Sequence, residues 1–456
     1  MKKPKIFNFL GLALAGMLLS TSVNAATITV HYNNSDANRL PTYTYINNYM
    51  SNRFTVNGYN NGGNGSAESQ LKNSKAFVAH HHGAPGRQYL NQMSNGISAS
   101  YNGGGWKSIN SMATDLSKPL YIAIYYGCET GVTDSTYGSI TAVTTTKLAK
   151  SAVAWKISTY VYDVNVWNRY FFDKARTTSA SASTALTYAD TKLAADSGSY
   201  QAAAMKNQRT TSGSFTWTFA QMGSILNSLS TNNFDLSKSK QMVSYDNTIK
   251  NVMKIDTMKT TADKELGVFI DQNNNEYIYD GNELVAYINM NNNPNQNVTA
   301  SYTNSQINNL TKINNEKTVK LLKDILINGD VNLEDYKLIE SSYVKETDEY
   351  TYLYGKTIDG YNTNDAILVS VNSNGELVSY SATQLGVYDK YNDIKIDKEK
   401  VADFVNNEME SVDDVTYSID REFINIVDGK PVLQIGIRMV HENEAISTKE
   451  LYYPLA

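Results

Sequence analysis

Cys128 is the only cysteine in a chain of 456 residues, and it closes the stretch "LYIAIYYGCETG" that runs from Leu120 to Gly131. An apolar, β-branched and aromatic run that stops at Gly127 reads as a strand, and Cys128 falls where that strand should leave a sheet. Gly127 and Gly131 on either side allow a sharp exit and the close approach of another backbone. Only five histidines are present, and three of them, His80, His81 and His82, end a second apolar run, "AFVAHHHG". A thiolate is a strong nucleophile, and an imidazole can serve it as proton donor to a leaving group, so the pair His82 and Cys128, 46 residues apart, has the residue types for acyl transfer. Two alternatives stay open: an inert, buried thiol, or a metal site built on the histidines. Consecutive strand side chains face opposite ways, so three adjacent histidines cannot all reach one ion without distortion. His31 and His441 read as ordinary surface or structural residues, the second of them far from the others in sequence.

The elements that must hold these groups are legible before and after them. "ATITVHY" (26–32), "KAFVAHHHG" (75–83), "PLYIAIYYG" and "SAVAWKI" (151–157) are short apolar strands. "PTYTYINNYMSNRF" and "SITAVTTTKLAK" read as helices between them. Val164, Trp167, Tyr170 and Phe171 recur at helical spacing, and so do Ala182, Ala185, Leu186, Ala189 and Leu193. Strands apolar throughout, alternating with helices, predict a mostly parallel sheet covered by helices on both faces. In such a sheet ligands gather at the carboxyl ends of the strands, the address of both His82 and Cys128.

"AFVAHHHG" and "LYIAIYYGCETG" together resemble the paired motifs of caspase-like cysteine peptidases, the group that includes caspases, legumain, separase, clostripain, gingipains and bacterial CHAT domains. "GCETG" is similar to the Ala-Cys-Glu-Thr-Gly of CHAT domains, with Gly127 in place of alanine, and the likeness spans about residues 75–196. It implies an α/β caspase-haemoglobinase-like domain with His82 as catalytic histidine and Cys128 as nucleophile. It further implies an oxyanion hole made by the backbone N–H groups of Gly83 and Cys128, where one donor is worth roughly 3 kcal/mol of barrier. Tyr125 and Tyr126 are bulkier than the family habit and bear on the shape of the pocket. By analogy with clostripain and gingipains, Asp134 or Asp163 would receive a basic side chain of a peptide substrate; as local structure, Asp134 would be a turn residue and Asp163 a helix cap. A preference for basic residues would make "MKNQRTTSGS" (205–214) a loop for self-cleavage at Lys206 or Arg209.

The rest of the chain sets the context. "MKKPK" followed by an uncharged apolar run ending near "VNAA" reads as a secretory signal over residues 1–25, and the mature chain is expected to be exported or held at the cell envelope, with no transmembrane segment. Loss of Lys2, Lys3 and Lys5 takes the formal charge from −5 to −8, which argues against nucleic acid as a partner. The 41% hydrophobic content suffices for two or three cored domains. The peptidase-like domain is assigned to residues 26–228, and 229–304 form a strand-rich connector. Beyond it "KINNEK" (312–317) and "KIDKEK" (395–400) each open a helix, with Asn314 and Asp397 as N-caps. Val319, Leu322, Ile325 and Leu326 stripe one helix; Val401, Phe404, Val405 and Met409 stripe the other. Strands follow both, as in "EYTYLYGK" and "PVLQIGIRM", and the first copy adds the hairpin "LVSVNSNGELVSY". These small α+β modules, 305–392 and a shortened 393–456, resemble PepSY modules, which implies a role in inhibiting, escorting or anchoring the enzyme. No cofactor is required by this chemistry. "NGDVNLEDYKLIE" and "DQNNNEYIYDG" resemble calcium loops but lack the full ligand spacing with its central glycine, so both read as surface turns; the family resemblance leaves room for a structural calcium ion, which some secreted relatives use.

Overall fold

The computed structural model describes residues 26–223, 258–292, 316–322 and 333–455, apart from single positions and short gaps within those ranges. The first region is α/β. Strands β1 (Thr27–Tyr32), β2 (Thr55–Asn60) and β3 (Ser74–His80) come first, with helices α1 (Leu40–Met50) and α2 (Ala67–Asn73) between them. An excursion of four short strands follows: β4 (Gly83–Ala84), β5 (Arg87–Asn91), β6 (Asn95–Ser98) and β7 (Trp106–Ser108). The chain then returns through β8 (Leu120–Tyr125), α3 (Ile140–Lys147), β9 (Ala149–Trp155), α4 (Val161–Ala175), α5 (Ala182–Ala194), α6 (Ala202–Asn207), β10 (Arg209–Gly213) and α7 (Phe219–Met222).

Six of these strands form one sheet in the order β10-β9-β8-β3-β1-β2. All neighbours are parallel except β10 against β9. Alternate side chains along each strand feed two apolar layers. On one face Val78, Ile124, Tyr126 and Val153 pack with Val164, Trp167 and Phe171 of α4 and with Ala185, Leu186 and Ala189 of α5. On the other, Phe77, Ala123, Tyr125 and Ala152 pack with Leu71 of α2 and Ile140 of α3. The parallel sheet with helices on both faces is as the periodicities predict.

The remaining strands are antiparallel in character: β11 (Met258–Thr260), β12 (Gly267–Asp271), β13 (Glu276–Asp280), β14 (Glu283–Ile288), β15 (Lys337–Val344), β16 (Glu349–Ile358), β17 (Tyr361–Val371), β18 (Leu377–Thr383), β19 (Val415–Val427), β20 (Lys430–His441) and β21 (Ile446–Pro454), with helix α8 (Lys398–Met409) before β19. They join the excursion in a second sheet, β11-β12-β13-β14-β18-β17-β19-β20-β21-β4-β5-β6-β7, with β15 and β16 branching off β17. The connector's β14 therefore hydrogen-bonds to β18 of the first module. The second module meets the first through β17 and β19 and meets the first domain through Ile446 of β21 opposite Gly83 of β4.

Several local expectations have direct counterparts. The Asp397 carboxylate caps α8, accepting from the N–H groups of Glu399 and Lys400 at 3.2 and 3.3 Å, and Val401, Val405 and Met409 face its core. The Asn372–Gly375 turn closes the β17–β18 hairpin, with Gly375 at φ +79°. Residues 316–322 are helical and Leu322 is buried; Asn314, Ile325 and Leu326 lie outside the described residues. The proposed cleavage loop is a correction: residues 205–214 belong mainly to α6 and β10. Lys206 is fully buried in an ion pair with Glu349 of β16, and Arg209 is paired with Asp190 of α5 at 2.7 Å. Distant acidic partners, not local polarity, decided the fate of both cations.

Candidate active site

The partner offset between β3 and β8 is 46 residues, as in Ala79 opposite Tyr125, which is also the separation of His82 and Cys128. The two strands thus deliver both residues to the same carboxyl edge. Beyond the strands the backbones interlock. A Cβ at Gly83 would lie 2.4 Å from the carbonyl oxygen of Cys128 and 2.6 Å from its nitrogen, and one at Gly127 would lie 2.7 Å from the Cα of Gly83. Glycine is the side chain both positions can take, and the two expected oxyanion residues, Gly83 and Cys128, are in backbone contact.

Gln88, which the sequence did not single out, ties the two motifs together. Its buried amide accepts from the Gly127 N–H at 2.9 Å and donates to the carbonyls of His82 and Tyr89 at 3.0 and 3.1 Å. After Cys128 the chain turns sharply. Glu129 takes the left-handed conformation at φ +56°, and the Thr130 hydroxyl donates to the Gly127 carbonyl at 2.9 Å. Gly131 packs on the backbone of Trp155.

The three histidines diverge. His80 is held through Nδ1 to the Thr42 hydroxyl at 2.7 Å and lies edge-on to Tyr126. His81 Nδ1 accepts from the N–H of His82 at 3.0 Å, which leaves the proton on Nε2, 3.0 Å from the Asn61 side-chain oxygen. His82 is 4% exposed, and its ring centroid is 6.4 Å from that of His441. His441, expected far off, is thus a neighbour of the site, because β20 and β21 fold back across it. His31 is structural, buried and bonded to Gln70 at 2.7 Å. Burial pulls its basicity down to about 4. Among the described residues no group of three or more His, Cys, Asp and Glu is placed to hold a metal ion.

Cys128 is 5% exposed, and its thiol points at the Thr159 carbonyl, 3.7 Å away. Burial pushes the thiol up to about 11, against the opposing pulls of Thr159 and the positive charge of Arg39. In this conformation it is a protonated thiol at neutral pH. Tyr125 and Tyr126 do not crowd it, since their rings enter the two core layers: the Tyr125 hydroxyl meets Thr144 at 2.9 Å, and Tyr126 stacks on Trp155 and bonds Asn168. Asp134 serves its own turn, accepting from the N–H groups of Thr136 and Tyr137 at 2.7 and 2.8 Å. Asp163 is buried in the first turn of α4 and accepts from the Ser199 hydroxyl; Tyr160, not Asp163, is the N-cap. In the resemblance to a calcium loop, Asp271 likewise closes its own turn, accepting from the N–H groups of Asn273 and Asn275. Residues 328–332 of the other such stretch lie outside the described residues.

No helix among the described residues is long and apolar enough to cross a membrane. Comparison with protein-family models and with curated proteins returns no match for this chain.

Proposed function

We propose that this chain is an exported cysteine endopeptidase with a caspase-like first domain, followed by two PepSY-like modules. The observation that carries the reading is the interlocking of two strand exits, His82-Gly83 against Gly127-Cys128, at the carboxyl edge of a parallel sheet. In the reaction the Cys128 thiol passes its proton to the His82 imidazole and the resulting thiolate adds to the scissile carbonyl carbon, with the oxyanion facing the backbone N–H groups of Gly83 and Cys128. The C–N bond then breaks as the His82 imidazolium gives its proton to the leaving amine. Water hydrolyses the resulting thioester, with His82 taking up a proton from the water and passing it to the departing sulfur, so that the free thiol and neutral imidazole return.

The test is incubation of a diverse peptide library with the wild type, Cys128→Ala and His82→Ala. Cleavage lost in both variants is the expected result, and the cleaved set reports whether basic residues are preferred, for which neither Asp134, spent on its own turn, nor the buried Asp163 is an open receptor. One observation favours a second reading, a non-catalytic binding protein of the envelope or extracellular space: the thiol is enclosed and held protonated. Peptides retained equally by all three proteins, and cleaved by none, would establish it.

A further inference from the structure

The second C-terminal module contacts three residues that neighbour the enclosed Cys128: Gly83, Glu129 and Thr159. Ile446 of β21 pairs with Gly83, whose backbone touches Cys128. Two residues on, the Thr448 hydroxyl donates to the Thr159 carbonyl at 3.4 Å, the same oxygen the thiol faces. The segment Ile446–Thr448 therefore spans groups on both sides of the nucleophile. From β20, Arg438 grips the residue after it, its Nε on Glu129 Oε1 and its Nη2 on Oε2 at 3.0 Å. Gly436 lies so close to the Tyr160 hydroxyl that a Cβ there would sit 2.0 Å from it.

The turn between β20 and β21 is anchored as firmly. Glu444 reaches Arg87 at 2.9 Å, and the Arg87 guanidinium stacks 3.8 Å from the Tyr137 ring centroid. The Tyr89 hydroxyl donates to the Asn443 carbonyl at 3.0 Å, and the Asn443 amide to the Met93 carbonyl at 2.6 Å. Backbone pairing at Gly83 and a bidentate charge pair at Glu129 fall beside Cys128, and the docked turn ties the same hairpin to the first domain.

We infer that the second module is an internal inhibitor of the site: the surface of the first domain formed by Gly83, Glu129, Thr159 and Arg87 binds this chain's own β20–β21 hairpin, and the enzyme acts only when that hairpin lifts. The inference rests on the peptidase reading for what is inhibited, while the closure itself rests on the contacts alone. Glu129 belongs to the device, since a left-handed non-glycine residue is held beside the thiol by its pair with Arg438.

The experiment uses the full chain and two substitutions on the module. Arg438→Glu sets like charges against each other at Glu129; Glu444→Ala removes one of the turn's three anchors, from a side chain 66% exposed. Cys128 alkylation by iodoacetamide at pH 7 and peptide-library cleavage are read in parallel, with circular dichroism to verify folding. Alkylation faster by tenfold or more, with a matching rise in cleavage that Cys128→Ala abolishes, is the expected result. Faster alkylation with no cleavage in any protein would keep the closure and remove the peptidase reading. Cys128-dependent cleavage by the wild type as fast as by the variants would do the reverse. Folded variants whose thiol stays as slow as in the wild type overturn the inference, and Glu444→Ala decides the matter if Arg438→Glu does not fold.

Discussion

Replacing Gln88 by alanine should loosen the two motifs from each other. The substitution deletes three hydrogen bonds and leaves the Gly127 N–H facing a void, while the His82 carbonyl keeps its second donor, the N–H of Tyr89 at 3.1 Å. An orphaned buried donor costs about 1–3 kcal/mol, and the volume left by a fully buried side chain adds to it, so a loss of about 2–4 kcal/mol is expected by urea unfolding. Gln88→Glu separates geometry from packing. A carboxylate can still accept from Gly127 but faces two carbonyl oxygens where the amide donated, so this variant should be weaker at pH 7 and recover as the pH falls and its carboxyl takes up a proton. A Gln88→Ala protein within about 0.5 kcal/mol of the wild type, or a Gln88→Glu protein with no such recovery relative to wild type, would refute the bridge.

Three further outcomes follow from the packing. Lys206→Met leaves the Glu349 carboxylate buried without its ammonium and should cost about 3–5 kcal/mol, whereas Lys206→Met with Glu349→Leu should regain most of it; calorimetric melting of the single and double variants measures the difference. The His31 imidazole binds fewer protons in the folded than in the unfolded chain between pH 6.5 and about 4, so its contribution is intact above 6.5 and is lost as the pH falls toward 4, by up to about 3 kcal/mol. His31→Gln should flatten that part of the acid limb in urea titrations run at several pH values. Gly83→Ala drives a methyl group into the Cys128 backbone and should either prevent folding or force the two exits apart, seen as a lowered melting temperature together with an altered alkylation rate at Cys128.

What was legible in the sequence is what local pattern encodes. The strands ending at His80 and Tyr125, the helices carrying Trp167 and Leu186, and the N-cap at Asp397 all follow from periodicity and capping chemistry over a dozen residues or fewer. The site was legible as far as strand exits go, because apolar runs that stop at His82-Gly83 and Gly127-Cys128 mark where strands leave a sheet, and Gly127 signals close backbone approach. The excursion from Gly83 to Ser108 was not, since its strands are two to five residues long and the Gly-rich "NGGGW" masks them. Gln88 looks like any polar residue until the fold puts Gly127 against it. The pair Arg438 and Glu129 is 309 residues apart in sequence, and neither residue carries a local sign of the other. Lys206 and Arg209 misled for the same reason: a cation in a polar stretch suggests solvent until a buried carboxylate from another element meets it.

The junction of β21 with β4 also governs what an opened molecule would be like. The junction is the single pairing of Ile446 with Gly83, and parting it bares a backbone position on each edge, one beside the thiol and one on the departing module. Bare edges recruit strands from other chains. Lifting the hairpin should therefore make the protein adhesive as well as reactive, so a partner able to offer a strand of its own would both hold the molecule open and shield it from self-association.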